Sequence, residues 1–230
     1  MPVTKAVLFD LFETLISEYA GGVRKASRSN KGNAERLGLS HDVYRREWGA
    51  AHEKRMTGQF ADYFAVMRHL LKGQQVKVDD RVVKELYEER VLEKKAAFQG
   101  IDPEVIELLR RLKQEGVKLG LVSNCTEEEV HAWPDCGLAP YFDEVLFSYQ
   151  AGFAKPDRSI YNLACDRLGV KAEECVFIGD GGSDELNGAT RAGMKAYHAV
   201  WYLPLEMRDK ITGHPKLERP LQAMEEIRRS

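Results

Sequence analysis

Three short apolar runs, each ending in a polar residue, constrain the fold of this chain more than any other feature. They are Val7-Leu8-Phe9 before Asp10, Leu119-Gly120-Leu121-Val122 before Ser123, and Val176-Phe177-Ile178-Gly179 before Asp180. Runs of this length between polar turns are typical of strands that are buried on both faces of a parallel sheet. Open sheets of this kind place ligands at the carboxyl edge of the strands, so we expect the three polar residues to meet there.

Helical patterns fill the gaps between these strands. Pro103 can occupy the first turn of a helix that Gly116 closes, and a second helix ends at Gly169. Two further strands are predicted at Glu144–Phe147 and near Ala196–Val200. The alternation of strands and helices predicts an α/β fold with a parallel, doubly wound sheet.

The stretch from Val23 to Lys95 breaks this alternation, because it has no convincing strand. It predicts successive amphipathic helices over Val43–Lys54, Asp62–Leu71 and Asp80–Lys95. Inserted after the first strand, these helices are expected to form a cap above the carboxyl edge of the sheet. We therefore divide the chain into a core (1–20 and 97–212), a helical cap (21–96) and a peripheral C-terminal segment (213–230).

Composition excludes several classes of protein. A net charge of −2 over 230 residues gives no general attraction to nucleic acid or to an anionic membrane. No apolar run approaches the roughly 18 residues that a membrane span needs. The four cysteines show no metal or redox spacing, and Asp10 and Glu13 interrupt any signal-like segment, so a cytoplasmic protein is expected. The pattern leaves open whether it is a monomer or a homodimer.

The polar residues at the predicted strand ends and helix starts form a constellation suited to phosphate and metal. A carboxylate such as Asp10 can attack phosphorus only if the charge of the substrate is neutralised. Lys155 offers a compact cation and Ser123 a hydroxyl, while Asn124 offers an amide to the substrate. Asp10 and Asp180, together with Asp184 or Glu185, offer the oxygen ligands that Mg²⁺ prefers. The expected partner is a small anionic substrate.

Four segments resemble the motifs of the haloacid dehalogenase-like (HAD) hydrolases. The segments are Asp10-Leu11-Phe12-Glu13-Thr14-Leu15, Leu121-Val122-Ser123-Asn124, Ala154-Lys155-Pro156-Asp157 and Ile178-Gly179-Asp180-Gly181-Gly182-Ser183-Asp184-Glu185. Each motif alone is weak, but their order and spacing together are specific. The resemblance implies a Rossmann-like core with a helical cap inserted after the first strand.

The resemblance also implies roles for individual residues. Asp10 would be the nucleophile that forms a covalent aspartyl intermediate. The backbone carbonyl of Phe12 would be a Mg²⁺ ligand whatever the side chain. Phosphatases of the family usually carry Asp at the position of Phe12, where it serves as general acid and base, a contribution of about 10²–10⁴-fold. Phe12 cannot supply that help, and Glu13 is expected to point elsewhere.

The missing acid leaves three functions open. The first is a Mg²⁺-dependent phosphohydrolase, either slow, specialised for a leaving group that needs no proton, or assisted by another group from the cap. The second is a 2-haloacid dehalogenase, because those enzymes carry an aromatic residue near this position; the intact Gly179-Asp180 pair favours the phosphohydrolase. The third is a catalytically idle binding protein.

Three assignments depend on positions that spacing alone does not fix. Asp184 and Glu185 compete for one metal position. Arg55, which precedes Gly58 at a possible hinge, is a candidate contact to the substrate. A helix over Arg24, Arg28 and Lys31 would present a cationic face that steers an anionic substrate, or simply a solvated charged face.

Overall fold

The structure, a computed structural model, describes residues 4–28 and 32–229. Eight strands and eleven α-helices are found within these residues. The strands are β1 (Ala6–Phe9), β2 (Tyr19–Ala20), β3 (Val23–Arg24), β4 (Lys118–Ser123), β5 (Glu144–Phe147), β6 (Cys175–Gly179), β7 (Lys195–Ala199) and β8 (Lys216–Leu217). The helices are α1 (Asn33–Arg36), α2 (His41–Ala50), α3 (His52–Met56), α4 (Tyr63–Gly73), α5 (Asp80–Lys95), α6 (Pro103–Gln114), α7 (Ser148–Ala151), α8 (Arg158–Leu168), α9 (Glu185–Ala192), α10 (Leu205–Arg208) and α11 (Gln222–Arg229).

Six strands form one parallel sheet in the order β5-β4-β1-β6-β7-β8. The first strand lies at the centre, and all four of its residues are fully buried. The parallel α/β fold predicted from the apolar runs is therefore confirmed, with a Rossmann-like sheet. All three runs end at one edge, so the residues that follow them face a common region.

Alternation along β1 divides the core into two layers. Val7 and Phe9 join the cluster that contains Leu108 of α6, whereas Ala6 and Leu8 join the cluster that contains Tyr161 of α8. Successive side chains of a strand point to opposite faces, which places one helical layer on each side of the sheet. The caps predicted for these helices are present: Pro103 begins α6, and Gly169 ends α8 with φ of 64°.

The C-terminal segment is less peripheral than expected. Strand β8 pairs with β7 at the edge of the sheet, and Leu217, Met224 and Ile227 are buried in the larger core cluster. The two prolines of this segment, Pro215 and Pro220, flank the strand without interrupting it. A two-residue strand and an eight-residue last helix give too short a pattern for sequence reasoning to detect.

A helical layer, defined here as residues 33–95, has a small core of its own. Leu37, Met67 and Leu86 are among its buried residues. The predicted helix over Asp80–Lys95 is confirmed at both ends. The helix expected over Val43–Lys54 is instead two, α2 and α3, because ψ of Ala51 is −3° and the chain changes direction there.

A hairpin replaces the cationic helix that was considered near Arg24. Strands β2 and β3 pair antiparallel around Gly21 and Gly22, whose φ values of 56° and 78° suit a tight two-residue turn. The guanidinium of Arg24 is bonded to Glu18 and to Glu93. Its charge is therefore neutralised, and the steering hypothesis loses its central residue; Lys31 lies outside the described residues.

Buried ion pairs join the helical layer to the sheet. We call this group the α5 ion cluster: Glu18, Arg90, Lys94, Glu128 and Glu129. Arg90 contacts Glu128 at 2.9 Å and Glu129 at 2.8 Å, and Lys94 contacts Glu18 at 2.8 Å and Glu129 at 3.3 Å. Glu128 and Glu129 lie in the loop that begins directly after Ser123, the last residue of β4. The cluster therefore connects α5 to this loop.

No helix within the described residues is both long enough and apolar enough to cross a lipid bilayer.

The charge on Glu129 is expected to stabilise the fold in a pH-dependent way. Burial alone would raise the pKa of Glu129, but Arg90 and Lys94 lower it to about 2. A carboxyl whose pKa is lowered on folding stabilises the protein above its unfolded pKa, and this stabilisation is lost as the pH falls toward 2. Glu129→Gln should therefore cost roughly 3 kcal/mol of unfolding free energy at pH 7, and much less near pH 3.

Urea unfolding at both pH values measures this effect. Glu173→Gln is the matched control, because Glu173 is exposed and should change stability little at either pH. An equal loss for Glu129→Gln at pH 7 and pH 3 would mean that the ionised carboxylate is not what stabilises the fold.

Candidate active site

Lys155 lies between two carboxylates at the carboxyl edge of the sheet. Its ammonium contacts both Asp10, at the end of β1, and Glu185, at the start of α9. Asp10, Lys155 and Glu185 are 7%, 4% and 1% exposed, so water screens these contacts little. The backbone N–H of Asp10 donates to the carbonyl of Ile178 at 2.9 Å, which fixes the nucleophile candidate against β6.

Burial sets the electrostatics of this group. It raises the pKa of Asp10, although Lys155 opposes the shift. It also raises the pKa of Glu185, an effect that the charge of Asp10 reinforces. Burial alone would lower the pKa of Lys155, but the two carboxylates raise it above the ordinary lysine value. The lysine therefore stays charged, while the two acids need further positive charge to ionise together.

Asp180 completes a cluster of three carboxylates. One oxygen each from Asp10, Asp180 and Glu185 lies within 4.8 Å of the others. The side chain of Asp180 accepts a hydrogen bond from the N–H of Gly182 at 2.9 Å, which directs it at the turn after β6. The three carboxylates, when ionised, carry three negative charges, and one ammonium contacts them. The ionised cluster would therefore have a net charge of about −2.

This donor set fits a small divalent cation. All the ligand atoms are oxygen, as Mg²⁺ prefers, and the unbalanced charge of the cluster matches one such ion. Asp10, Asp180 and the backbone carbonyl of Phe12 are the candidate ligands, with Glu185 either beside them or acting through Lys155.

The backbone after Asp180 separates the two acids that competed for a place in the cluster. Ser183 and Asp184 have positive φ values of 55° and 54°. This turn leaves Asp184 exposed, where it accepts hydrogen bonds from Asn187 and Arg191. Asp184, a metal candidate from the sequence, therefore lies outside the cluster, and Glu185 lies inside it.

Close approach to Glu185 explains why Gly179 ends β6. A Cβ atom at Gly179 would lie 2.2 Å from Oε1 of Glu185, inside van der Waals contact. The same oxygen accepts from the N–H of Gly181 at 2.9 Å. Tyr161, buried in α8, donates its hydroxyl to the backbone carbonyl of Glu185 at 2.7 Å. The position of this carboxylate is therefore fixed from three sides.

Ser123 ends β4 and Asn124 follows it, but the two residues differ in what they contact. The hydroxyl of Ser123 is buried and has no hydrogen-bond partner among the described residues, so it remains available to a ligand. The amide of Asn124 instead bonds the backbone of Lys155 twice, donating to its carbonyl at 2.8 Å and accepting from its N–H at 2.8 Å. Asn124, expected to contact substrate, thus positions Lys155.

Phe12 and Glu13 bring no acid to the nucleophile. The ring of Phe12 packs edge to face on Phe98, with 6.4 Å between centroids. Glu13 accepts from the hydroxyl of Ser17 at 2.6 Å and from the N–H of Glu18 at 2.8 Å. The carboxylate of Glu13 therefore closes its own turn, in agreement with the expectation that it points elsewhere.

Arg55 lies in the helical layer, outside the carboxylate cluster. Its guanidinium is buried and stacks on Trp48 at 3.9 Å from the ring centroid. Its Nε has no hydrogen-bond partner among the described residues, and with Thr126 and Tyr149 it lines a cavity of about 20 Å³. This volume holds about one water molecule. None of the three clustered carboxylates lines this cavity, so Arg55 and the carboxylate cluster are not joined by it.

Two positioning residues were not identified from the sequence. His198, in β7, contacts the backbone carbonyl of Asp180 through Nε2 at 3.0 Å. Trp201 donates its indole N–H to the carbonyl of Thr14 at 2.9 Å and so supports the loop after Asp10. His198 lies within the predicted fifth strand and Trp201 directly after it, so their position near the carboxyl edge of the sheet was the only available signal.

Comparisons with known proteins agree with this geometry. Residues 4–193 match the sequence profile of the haloacid dehalogenase-like hydrolases. A glyceraldehyde 3-phosphate phosphatase of Methanopyrus kandleri is 40% identical over 95 residues, a match that spans 40% of this chain and 40% of that protein. A ribulose-1,5-bisphosphate 5-phosphatase of Halopiger xanaduensis is 28% identical over 215 residues, or 89% of this chain and 87% of that protein.

A solved structure shows the same fold over the whole chain. The 2-haloacid dehalogenase of Pseudomonas syringae pv. Tomato superposes with a TM-score of 0.68, covers 99% of both chains and is 23% identical. Because the family profile matches most of the sequence and the fold matches throughout, the chain belongs to the haloacid dehalogenase-like hydrolases.

Proposed function

We propose that this protein is a Mg²⁺-dependent phosphohydrolase that acts on a small phosphorylated metabolite through an aspartyl-phosphate on Asp10. One observation carries the proposal. The carboxylate of Asp10 lies buried against Lys155 in a cluster of three acids whose charge calls for a divalent cation. A cluster that only stabilised the fold would gain little from so many buried carboxylates.

The reaction has two displacement steps. An oxygen of Asp10 attacks phosphorus, the ester P–O bond breaks, and the leaving oxygen departs with the electron pair and takes a proton from water. The remaining hydroxide, or an equivalent water, then attacks phosphorus, and the bond to Asp10 breaks to release phosphate. One water is consumed overall, and Asp10 is regenerated.

The surrounding residues prepare these steps. Lys155 neutralises the charge between nucleophile and phosphoryl oxygens, and Asn124 holds Lys155 in place. The free hydroxyl of Ser123 donates to a phosphoryl oxygen. When bound, Mg²⁺ would supply charge neutralisation and alignment of the phosphoryl group, held by Asp10, Asp180 and the carbonyl of Phe12.

The helical layer is the natural source of substrate selection. We propose that residues 21–96 act as a cap that covers the site and excludes water. Arg55 would contact the part of the substrate that extends beneath this cap, since its Nε lacks a partner. The names of the matched relatives, both phosphatases of small phosphorylated sugars or their derivatives, support this substrate class.

A cytoplasmic location stays a prediction. The four cysteines, all buried and unpaired, agree with a reducing compartment.

Dehalogenation of a 2-haloacid is the second candidate. The aromatic residue at position 12 favours it, because halide needs no proton to leave. The three-carboxylate cluster favours phosphate, because attack on carbon by Asp10 needs no divalent cation. Chloride released from 2-chloropropionate in the presence of EDTA would select the dehalogenase, whereas EDTA-sensitive release of phosphate selects the phosphohydrolase.

Asp10→Asn and Asp180→Asn should each abolish Mg²⁺-dependent phosphate release. For Asp10→Asn the rate should fall by at least about 10³-fold, because the nucleophile is lost. The measurement is phosphate released from a panel of phosphate esters and acyl phosphates. Asp184→Asn is the matched control from the same loop and should stay within about twofold of wild type, since Asp184 faces solvent. Absence of turnover, together with failure to form a metal-dependent fluoroberyllate complex at Asp10, would indicate a binding protein instead.

Phe12→Asp should raise kcat on ordinary phosphomonoesters by about tenfold or more, because it restores a general acid and base. Phe12→Asn is the control, because it has nearly the same shape as Asp but no transferable proton. A gain shared by both variants, or no gain in either, would show that the missing acid does not limit turnover.

A further inference from the structure

A second buried ammonium lies beside the loop that carries the nucleophile. Nζ of Lys94 is 5.3 Å from the centre of the Phe12 ring, two residues along the chain from Asp10. Its side chain is 15% exposed, and the carboxylates of Glu18 and Glu129 hold it at 2.8 and 3.3 Å. The ring of Phe12 and the carboxylates of Glu18 and Glu129 therefore fix the position of this ammonium.

Glu129 places Lys94 on the same side of the sheet edge as the reaction centre. The thiol of Cys125 is buried in the same loop, and this burial raises its pKa. Cys125 also follows Ser123 by two residues, with its sulfur 3.7 Å from the carbonyl of Ser123. Lys94 is thus anchored from α5 to the loop that follows Ser123, and it lies over the ring of the residue two positions after Asp10.

The other groups near the nucleophile are engaged, except for the free hydroxyl of Ser123, which the proposed function assigns to a phosphoryl oxygen. Lys155 contacts Asp10 and Glu185, and the carboxylate of Glu13 closes its own turn. Phe12 offers no polar atom from its side chain. When an alkyl phosphate reacts, negative charge develops on the leaving oxygen, and a hydrogen-bond donor fixed in place is the usual way to stabilise it.

We propose that Lys94 supplies this stabilisation: its ammonium, held over Phe12 by Glu18 and Glu129, donates a hydrogen bond to the leaving-group oxygen of the substrate. The inference rests on the proposed phosphohydrolase function. It names the group that stabilises the leaving oxygen in place of the missing general acid. An ammonium has three N–H donors and two carboxylate partners here, so one donor remains for the substrate. The class of substrate that follows is a phosphate ester of an alcohol, which needs such help, rather than an acyl phosphate, which does not.

The test compares two leaving groups in one variant. Lys94→Gln should lower kcat on glycerol 2-phosphate by about 10²-fold, because the leaving alkoxide is then unsupported. The same variant should lower kcat on 4-nitrophenyl phosphate only a few-fold, since nitrophenolate is stable without a donor. The ratio of the two rates does not depend on how much of the variant is folded, so partial unfolding cannot imitate the result.

Two further variants separate charge from structure. Lys94→Arg keeps the charge and the donor, and should recover most of the ratio. Arg90→Gln removes a buried partner of Glu129 from the same helix but leaves the cation over Phe12, so it should change both rates by the same factor.

Each remaining outcome is decisive. If Lys94→Gln slows both substrates equally, as Arg90→Gln does, Lys94 only docks α5 and the inference is wrong while the phosphohydrolase stands. If the wild-type protein releases phosphate from no compound of the panel and forms no metal-dependent fluoroberyllate complex at Asp10, the proposed function fails, and this inference fails with it.

Discussion

The contact of one buried ammonium with two buried carboxylates organises the carboxyl edge of this sheet. Lys155 joins Asp10 after β1 to Glu185 at the start of α9, and none of the three groups is well exposed. Removing Lys155 would leave two carboxylates without their buried counter-charge, and breaking a buried ion pair in this way typically costs about 3–5 kcal/mol. The surrounding details serve this contact: Gly179 gives Glu185 room, Tyr161 holds its backbone, and Asn124 holds the backbone of Lys155.

Much of the fold could be predicted because burial on both faces leaves a clear mark in the sequence. The runs ending at Asp10, Ser123 and Asp180 are short and wholly apolar, and a parallel sheet brings their ends together whatever the loops do. Helix α5 was predicted at both ends because its amphipathic pattern extends over 16 residues. Strand β8 and the β2–β3 hairpin have two residues per strand, which is too few to show a period.

The sequence predicted which residues form the candidate site better than it predicted what each residue does there. Spacing brought Asp184 and Glu185 equally close to Asp180, and only the left-handed backbone at Ser183 and Asp184 decides which side chain turns inward. Asn124 has the chemistry to bind a substrate, but the backbone of Lys155 takes both ends of its amide. Such choices depend on long-range contacts across the sheet edge, and a single sequence does not encode them as a local pattern.

The loop after β4 serves two structures at once. It begins directly after Ser123, and five and six residues after that serine it carries Glu128 and Glu129, which receive Arg90 and Lys94 from α5. The ion pairs of Arg90 and Lys94 therefore link the position of α5 to the position of the loop that follows Ser123. If the helical layer opens as the cap proposed above, the same movement would withdraw Glu128 and Glu129 from their partners and shift that loop, so binding of substrate and ordering of the loop would be coupled.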